Sequence, residues 1–400
     1  MGRRGKRTIR KSEDLPGRLY HIIEDRSYDK DLRIVWDIPD RFFNWSGIFF
    51  LDRIKEQETR VRPALFISLL AVVLATTIVM VTGMGFLKIS PAEVVQVLLS
   101  RITGKALPGT FNAVFPLVVM DVRLPRILTS AIVGGGLAVA GGVFQAILLN
   151  PLADPYTLGI SSGAAFGAAM VLILTIFGIS LPVWVSVPLF AFLGALATLF
   201  AVFALASPHD NYSSNTLILS GVIIASILSA GIGFIKYLAD EKVGIIIFWL
   251  MGSFVGKSWT DVILTLSFTL PGVLVILYFT RDLNIMALGA RTAESLGVET
   301  GKTRKILLVW ASLITAICVS VSGIIGFVGL IVPHLLRLLL GPDNRVLIPA
   351  CFFGGAILLL FADTITRAIL PSELPIGVLT SLIGGPFFCY IFRKRQGGMR

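Results

Sequence analysis

The chain has 400 residues, of which 55% are hydrophobic and only 15% are charged, and its formal net charge is +11. This composition excludes an ordinary soluble globule, and uncharged runs long enough to cross a bilayer recur from residue 63 to residue 392. The runs lack the apolar–polar alternation of a membrane barrel. An all-α polytopic membrane protein is therefore predicted, with its positive charge in cytoplasmic loops and no nucleic acid as partner.

Residues 1–62 form a charged extension, predicted to be cytoplasmic. Within it, residues 32–51 interleave aromatic and charged side chains, which is typical of a segment at a membrane interface or against a partner. A short apolar stretch at 243–256 predicts a re-entrant or interfacial helix. Ten transmembrane helices are expected at about 63–86, 127–149, 156–178, 182–206, 215–238, 261–280, 303–322, 325–340, 346–368 and 374–392.

An even number of spans puts both termini on the same side of the membrane. With the N-terminus inside, 26 of the 35 Lys and Arg residues fall in cytoplasmic segments and nine fall outside. Without the extension the balance is 11 to nine, in the same direction. The excess of positive charge inside predicts a multi-pass protein of the cell membrane with both termini in the cytoplasm.

The stretch from Arg123 to Gly159 carries unusual features. Its two arginines, Arg123 and Arg126, lie at the end of a span that the topology places outside. A glycine-rich run follows, which favours close helix packing in lipid, and a polar turn at Asn150 ends it. Near the outer end of another span, Asp363 precedes Arg367 by four residues, a spacing that predicts an ion pair on one helix face.

Other chemistry is sparse. The three cysteines, Cys318, Cys351 and Cys389, lie in apolar runs and are expected to be small buried hydrophobes, and neither a metal site nor a catalytic constellation is predicted. The Gly-Lys-Thr at 301–303 lacks the first glycine of a phosphate-binding loop, because Leu296 stands there. The spans also lack the buried ionisable groups of an ion-coupled carrier. Any transport is therefore expected to be energised by another chain.

Five blocks then carry a resemblance to a known family. They are RLPRILTSAIVGGGLAVAGGVFQAILLNPLADPYTLG (123–159), LNIMALGARTAESLGV (283–298), GFVGLIVPHLLRLLLGPDNRVLIP (326–349), ADTITR (362–367) and ELPIGVLTSLIGGPFF (373–388). With their spacing, over residues 63–395, they resemble the permease subunit of type II ABC importers, the FecCD-type family for iron-siderophore, haem and cobalamin uptake. The family's ten-helix fold with cytoplasmic termini agrees with the topology from charge, whereas residues 1–62 depart from its pattern.

The resemblance implies four sets of functional residues. The docking set, which receives acidic residues of an extracytoplasmic binding protein, would be Arg123, Arg126 and Arg367; arginines that reach lipid headgroups are the alternative. In the coupling segment, 281–300, the contacts to an ATPase would be Leu288, Gly289, Arg291, Leu296 and Gly297, unless this is an ordinary amphipathic loop. The cytoplasmic gate would be Asn150, Leu152, Ser213 and Ser214, although the asparagine and the serines equally suit helix capping. The pathway would be lined by Ser226 and Ser229.

The resemblance also implies the function and its partners. The chain would be the permease of an ATP-driven importer, paired with a second copy, two ATPase subunits and a binding protein. ATP and Mg²⁺ would bind the ATPase subunit, and no cofactor is expected on this chain, which is not itself an enzyme. The cargo would be a metal chelate, first a ferric siderophore, with cobalamin, haem or an oxyanion as alternatives. An ion-coupled secondary transporter, or a membrane-embedded enzyme or receptor, is the competing class.

Overall fold

A computed structural model of the protein describes residues 63–85, 87–107, 111–112, 114–179, 186–206, 213–369 and 373–397. The extension 1–62, with the predicted interfacial segment at 32–51, lies outside these residues. Regular secondary structure in the described ranges is helical throughout. The helices are α1 (Pro63–Gly83), α2 (Pro91–Thr103), α3 (Val114–Ile147), α4 (Ile160–Ile176), α5 (Val187–Leu205), α6 (Ser214–Ala239), α7 (Val243–Leu250), α8 (Trp259–Tyr278), α9 (Thr280–Met286), α10 (Ala290–Ser295), α11 (Thr300–Ser322), α12 (Val328–Leu340), α13 (Asn344–Thr364) and α14 (Ile376–Gly397).

Among the described residues, seven helices are long and apolar enough to cross a membrane. They comprise α1, α3, α5, α8, α11, α13 with the π-helical segment that follows it (Ile365–Ile369), and α6 continuing into α7. Three shorter apolar helices, α4, α12 and the start of α14, lie at the remaining predicted spans. The all-helical, multi-pass character is therefore confirmed, while the count of ten crossings and the side of each terminus stay predictions.

Helix α3 is the centre of the fold. Of the residues in its most apolar stretch, 89% are buried inside the protein. It begins at Val114 rather than near residue 127, and it passes through a π-helical segment at Val118–Arg123. The start of this helix was predicted too late in the sequence because Asp121, Arg123 and Arg126 interrupt the uncharged run. The helix continues through these charged residues because Arg123 and Arg126 have partners outside the helix, while Asp121 is exposed at its surface.

Glycines let α3 approach its neighbours closely, as their abundance predicted. A Cβ on Gly134 would overlap the backbone carbonyl of Gly355 on α13, and a Cβ on Gly355 would overlap that of Gly134. Further along α3, a Cβ on Gly141 would overlap the carbonyl group of Gly329 on α12. Small residues at such crossings allow backbone-to-backbone contact, which supplies packing energy in a lipid environment.

Helix α2 was not predicted from the sequence. It begins with a capping box, in which the Ser90 amide donates a 2.8 Å hydrogen bond to Glu93 Oε2 and the Glu93 amide donates one to Ser90 Oγ. The bonds from the Ser90 amide and hydroxyl hold the pKa of Glu93 below its ordinary value. Val94 and Val97 are buried on the first part of α3. The Ser-Pro-Ala-Glu sequence was the available signal for this helix.

Helix α7 occupies the first half of the stretch predicted as a re-entrant or interfacial helix, and its depth in the membrane stays a prediction. The segment after α7 is fixed by backbone hydrogen bonds to two other helix ends. The Ser253 amide donates to the Ser322 carbonyl at 2.8 Å, and the Ile376 amide donates to the Gly252 carbonyl at 3.1 Å. These hydrogen bonds therefore hold the segment after α7 against both the end of α11 and the start of α14.

Candidate docking, coupling and gate sites

The three predicted docking arginines converge at one end of the bundle, around the end of α1. Arg123 is buried, with 6% of its surface exposed, and its Nη1 donates a 2.8 Å hydrogen bond to the Thr82 carbonyl. Arg367 Nη1 donates at 2.6 Å to the Met84 carbonyl and its Nη2 at 3.1 Å to the Val81 carbonyl. Both guanidinium groups thus satisfy carbonyls at a helix C-terminus, where the helix dipole favours positive charge.

Gly85 shows how tightly these two guanidinium groups enclose the chain after α1. A Cβ there would lie 2.9 Å from Arg123 Nη2 and 3.1 Å from Arg367 Nη1, and the φ of Gly85 is +145°. The combination of that backbone angle and this crowding requires glycine. Arg123 and Arg367 therefore hold the chain segment after α1 in place, and their role in docking stays a prediction.

Arg126 has a different environment, made of carboxylates. Its Nη2 and Nε donate to Asp363 Oδ1 at 2.9 and 3.1 Å, and its Nη1 donates to the Glu373 carboxylate at 3.2 Å. The predicted ion pair between Asp363 and Arg367 is present, with Arg367 Nε 4.0 Å from Asp363 Oδ2. The close partner of Asp363 is Arg126 on α3, 237 residues away, so Asp363 joins two helices more strongly than it bridges one helix face.

The sequence did not single out Glu373, although it stands in the matched block at 373–388. Its side chain is 46% exposed, compared with 12% for Arg126 and 1% for Asp363. Arg126, Asp363 and Glu373 line a cavity of about 180 Å³ beneath the segment that follows α7. Arg126 and its two carboxylate partners thus lie beside a small opening at the end of the bundle that is predicted to face outside.

The predicted coupling segment forms two short helices, α9 and α10. Met286, Ala293 and Val298 are buried together beneath them, whereas Leu288 and Leu296 are 54% and 60% exposed. Arg291 and Gly297 are exposed as well, and Gly289 is half-buried. Positive φ angles at Gly289 and Gly297 end the two helices. The segment therefore presents a small apolar surface supported by its own buried cluster.

A residue that the sequence reasoning missed, Asn284, ties this segment to the start of α13. Its side-chain amide donates a 2.6 Å hydrogen bond to Asp343 Oδ1, and its Oδ1 accepts bonds from the amide of Asn344 at 2.9 Å and from the Asn344 side chain at 2.8 Å. Asp343 also accepts a hydrogen bond from the Arg345 amide. These bonds connect the coupling segment to a membrane-spanning helix.

The predicted gate residues lie at two turns: one follows the end of α3, and the other precedes the start of α6. Asn150 Oδ1 accepts a 2.9 Å hydrogen bond from the Leu152 amide, and Leu152 is 43% exposed. Ser213 Oγ accepts a 3.3 Å bond from the Thr216 amide, and Ser214 is the first residue of α6. The local capping that these residue types favour is therefore present, and a gating role stays a prediction.

The predicted pathway serines lie on an exposed face of α6. Ser226 and Ser229 are both exposed, and Ser226 Oγ donates a 2.8 Å hydrogen bond to the Val222 carbonyl of its own helix. The neighbouring Ile223 and Ile227 are also exposed. Among the described residues this face of α6 is left uncovered, and lining of a pathway stays a prediction.

Among the residues that the structure describes, no group of three or more His, Cys, Asp or Glu side chains is placed so that it could hold a metal ion. Cys318 and Cys351 are buried as expected, but Cys389 is exposed on α14. The expectation of burial was wrong for Cys389 because an apolar run on a single membrane helix need not face its neighbours.

The sequence matches the FecCD transport family over residues 69–394. This chain belongs to the FecCD transport family. It is 42% identical to an uncharacterized ABC transporter permease, YvrB of Bacillus subtilis, over 81% of this chain and 92% of that one. It is also 42% identical to the cobalamin import system permease BtuC of Halobacterium salinarum, over 70% of this chain and 74% of that one.

A solved structure gives the same assignment. The fold superposes with a TM-score of 0.70 on a metal-chelate type ABC transporter in an inward-facing conformation, at 32% identity, over 82% of this chain and 98% of that one. The family match starts at residue 69 and so leaves the extension 1–62 outside it. The protein is thus a multi-pass permease of the ABC transporter class, and the resemblance found in its sequence motifs is confirmed.

Proposed function

We propose that this FecCD-family chain is the permease subunit of an ATP-driven importer in the cell membrane, which moves a metal chelate into the cytoplasm by alternating access. The observation that carries the proposal is the coupling segment. Its exposed leucines, Leu288 and Leu296, stand on a buried cluster, and Asn284 connects that cluster to α13. Such a surface suits contact with a separate ATPase subunit, whose movement would then act on the helix bundle.

We infer the remaining partners from the same arrangement. Two copies of the chain would meet along the exposed face of α6, with Ser226 and Ser229 along the pathway between them, and each would carry one ATPase subunit that binds ATP and Mg²⁺. An extracytoplasmic binding protein would deliver the cargo at the arginine end. Guanidinium groups pair well with carboxylates, and matched charge accelerates encounter and sets orientation.

Reconstitution into liposomes tests the mechanism. The permease, the ATPase subunit and the binding protein should take up chelate only with ATP present, and an inactive ATPase should abolish uptake. Leu288→Asp should reduce ATP-driven uptake at least tenfold, whereas Ile102→Asp, a control at an exposed residue of the same size on α2, should leave it near wild type. Uptake that survives ATPase inactivation and follows a proton or sodium gradient would instead indicate a secondary transporter.

For the cargo we propose a ferric siderophore first, as the resemblance implies, with cobalamin and haem as the alternatives. The archaeal relative named for cobalamin import makes cobalamin the essential comparison. The test is equilibrium binding of ferric siderophores, cobalamin, haem and molybdate to the cognate binding protein, followed by uptake of the retained compound. Retention of cobalamin without any ferric chelate would overturn the siderophore assignment and leave the importer assignment in place.

A further inference from the structure

Arg126 has two carboxylate partners that differ in how easily they can be exchanged. Asp363 is 1% exposed and binds two nitrogens of the guanidinium group, Nε and Nη2. Glu373 is 46% exposed and binds the third, Nη1. Separating the buried pair would leave charges without compensation, whereas an exposed ion pair exchanges readily with water or with another anion.

The place of Glu373 is also reachable from outside the bundle. Both carboxylates and Arg126 line the cavity of about 180 Å³, together with Ser253, Val255 and Leu374 from the two segments that meet there. A carboxylate that entered this opening would meet Arg126 from the side that Glu373 now occupies. Arg123 and Arg367 offer no equivalent position, since their terminal nitrogens bind backbone carbonyls, which cannot move away independently.

We propose that Glu373 pairs with Arg126 in the undocked permease as an internal substitute for a carboxylate of the binding protein. On docking, the carboxylate of the binding protein displaces Glu373 from Arg126. The inference rests on the proposed function, because it requires a binding protein to dock at this end. Asp363 keeps Arg126 oriented throughout the exchange. Docking then replaces one ion pair with another of the same kind, so its affinity is moderated by the contact that it must break, and the binding protein can leave after delivery.

The test measures the affinity of the cognate binding protein for the complete importer in nanodiscs. Glu373→Gln removes the competing charge and should tighten docking about two- to fivefold, the range expected for loss of one exposed ion pair. Glu373→Asp keeps the net charge but withdraws the carboxylate by one methylene, and it should also tighten docking. Glu241→Gln is the matched control, an equal loss of charge at an exposed glutamate beyond the end of α6, on the same predicted side.

The outcomes separate the inference from the proposed function. Tighter docking with Glu373→Gln and Glu373→Asp, but not with Glu241→Gln, supports the internal substitute. Equal effects of Glu373→Gln and Glu241→Gln, with none for Glu373→Asp, would overturn it in favour of general charge attraction. Weaker docking with Glu373→Gln would overturn it by making Glu373 a direct contact of the partner. A wild-type importer that binds no such protein would overturn the proposed function, and the inference with it.

Discussion

Replacing Gly141 with alanine should destabilise the protein by separating α3 from α12. The new Cβ would lie 2.5 Å from the carbonyl carbon of Gly329 and 2.6 Å from its Cα, whereas carbon atoms at optimal contact are about 3.5–4.0 Å apart. The two backbones must therefore move apart by about 1 Å. Overpacking of this kind costs about 1–3 kcal/mol of the free energy of unfolding.

Gly142 provides the matched control, because it is the next residue of the same helix. Its added Cβ would lie 3.2 Å from Ile348 Cδ1, the end of a flexible side chain that can rotate away. Alanine gains about 1 kcal/mol over glycine in a helix interior at either position, so this gain cancels in the comparison. Gly141→Ala should therefore be less stable than Gly142→Ala by about 2 kcal/mol.

The assay is SDS-induced unfolding of each variant in mixed micelles, followed by tryptophan fluorescence. Gly142→Ala should unfold at or above the wild-type SDS fraction, and Gly141→Ala clearly below it. Equal unfolding midpoints for the two variants would refute the reasoning, because they would show that the crossing of α3 and α12 tolerates an extra methyl group without moving.

Three further predictions concern charged and polar contacts. Asp363→Asn leaves Arg126 without its buried partner and should cost about 3–5 kcal/mol of stability, against less than about 1 kcal/mol for Glu373→Gln, in the same SDS titration. Asn284→Ala should lower uptake per ATP hydrolysed in liposomes while ATPase activity persists; unchanged uptake per ATP would show that this contact does not couple the segment to α13. Burial raises the pKa of Asp154, so the protonated form is favoured on folding and stability should fall as pH rises from the unfolded-state pKa through the raised value. Asp154→Asn should remove that decline, and a decline that persists in the variant would exclude Asp154 as its cause.

The approximate locations of the long apolar helices could be predicted because each coincides with an uncharged run of the sequence. Each of the seven long apolar helices, and each of the three shorter ones, lies at a stretch that the uncharged runs had marked. The start of α3 could not be placed in this way. The charges of Asp121, Arg123 and Arg126 indicate the end of a span, and only the contacts of the two arginines with other parts of the chain show why the helix includes them.

The candidate site was predictable in its residues but not in its pairings. The motifs marked Arg123, Arg126 and Arg367, yet the sequence gives no sign that two of them bind backbone carbonyls at the end of α1 while the third binds carboxylates. The expected ion pair of Asp363 with Arg367, four residues away, is present at 4.0 Å, but its closer partner Arg126 was missed, because local spacing is visible in a sequence and a contact between α3 and α13 is not. Asn284 was missed for the same reason.

The length of α3 has a mechanical consequence. At 1.5 Å per residue, its 34 residues make a rod about 50 Å long, well beyond the roughly 30 Å hydrocarbon core of a bilayer. Arg123 and Arg126 lie about 14 and 18 Å along the rod from its first residue, Val114, and the turn at Asn150 follows its last residue. A tilt of about 5° about either end would displace the opposite end by about 4 Å. A small rotation on one side of the membrane thus becomes a displacement of atomic size on the other.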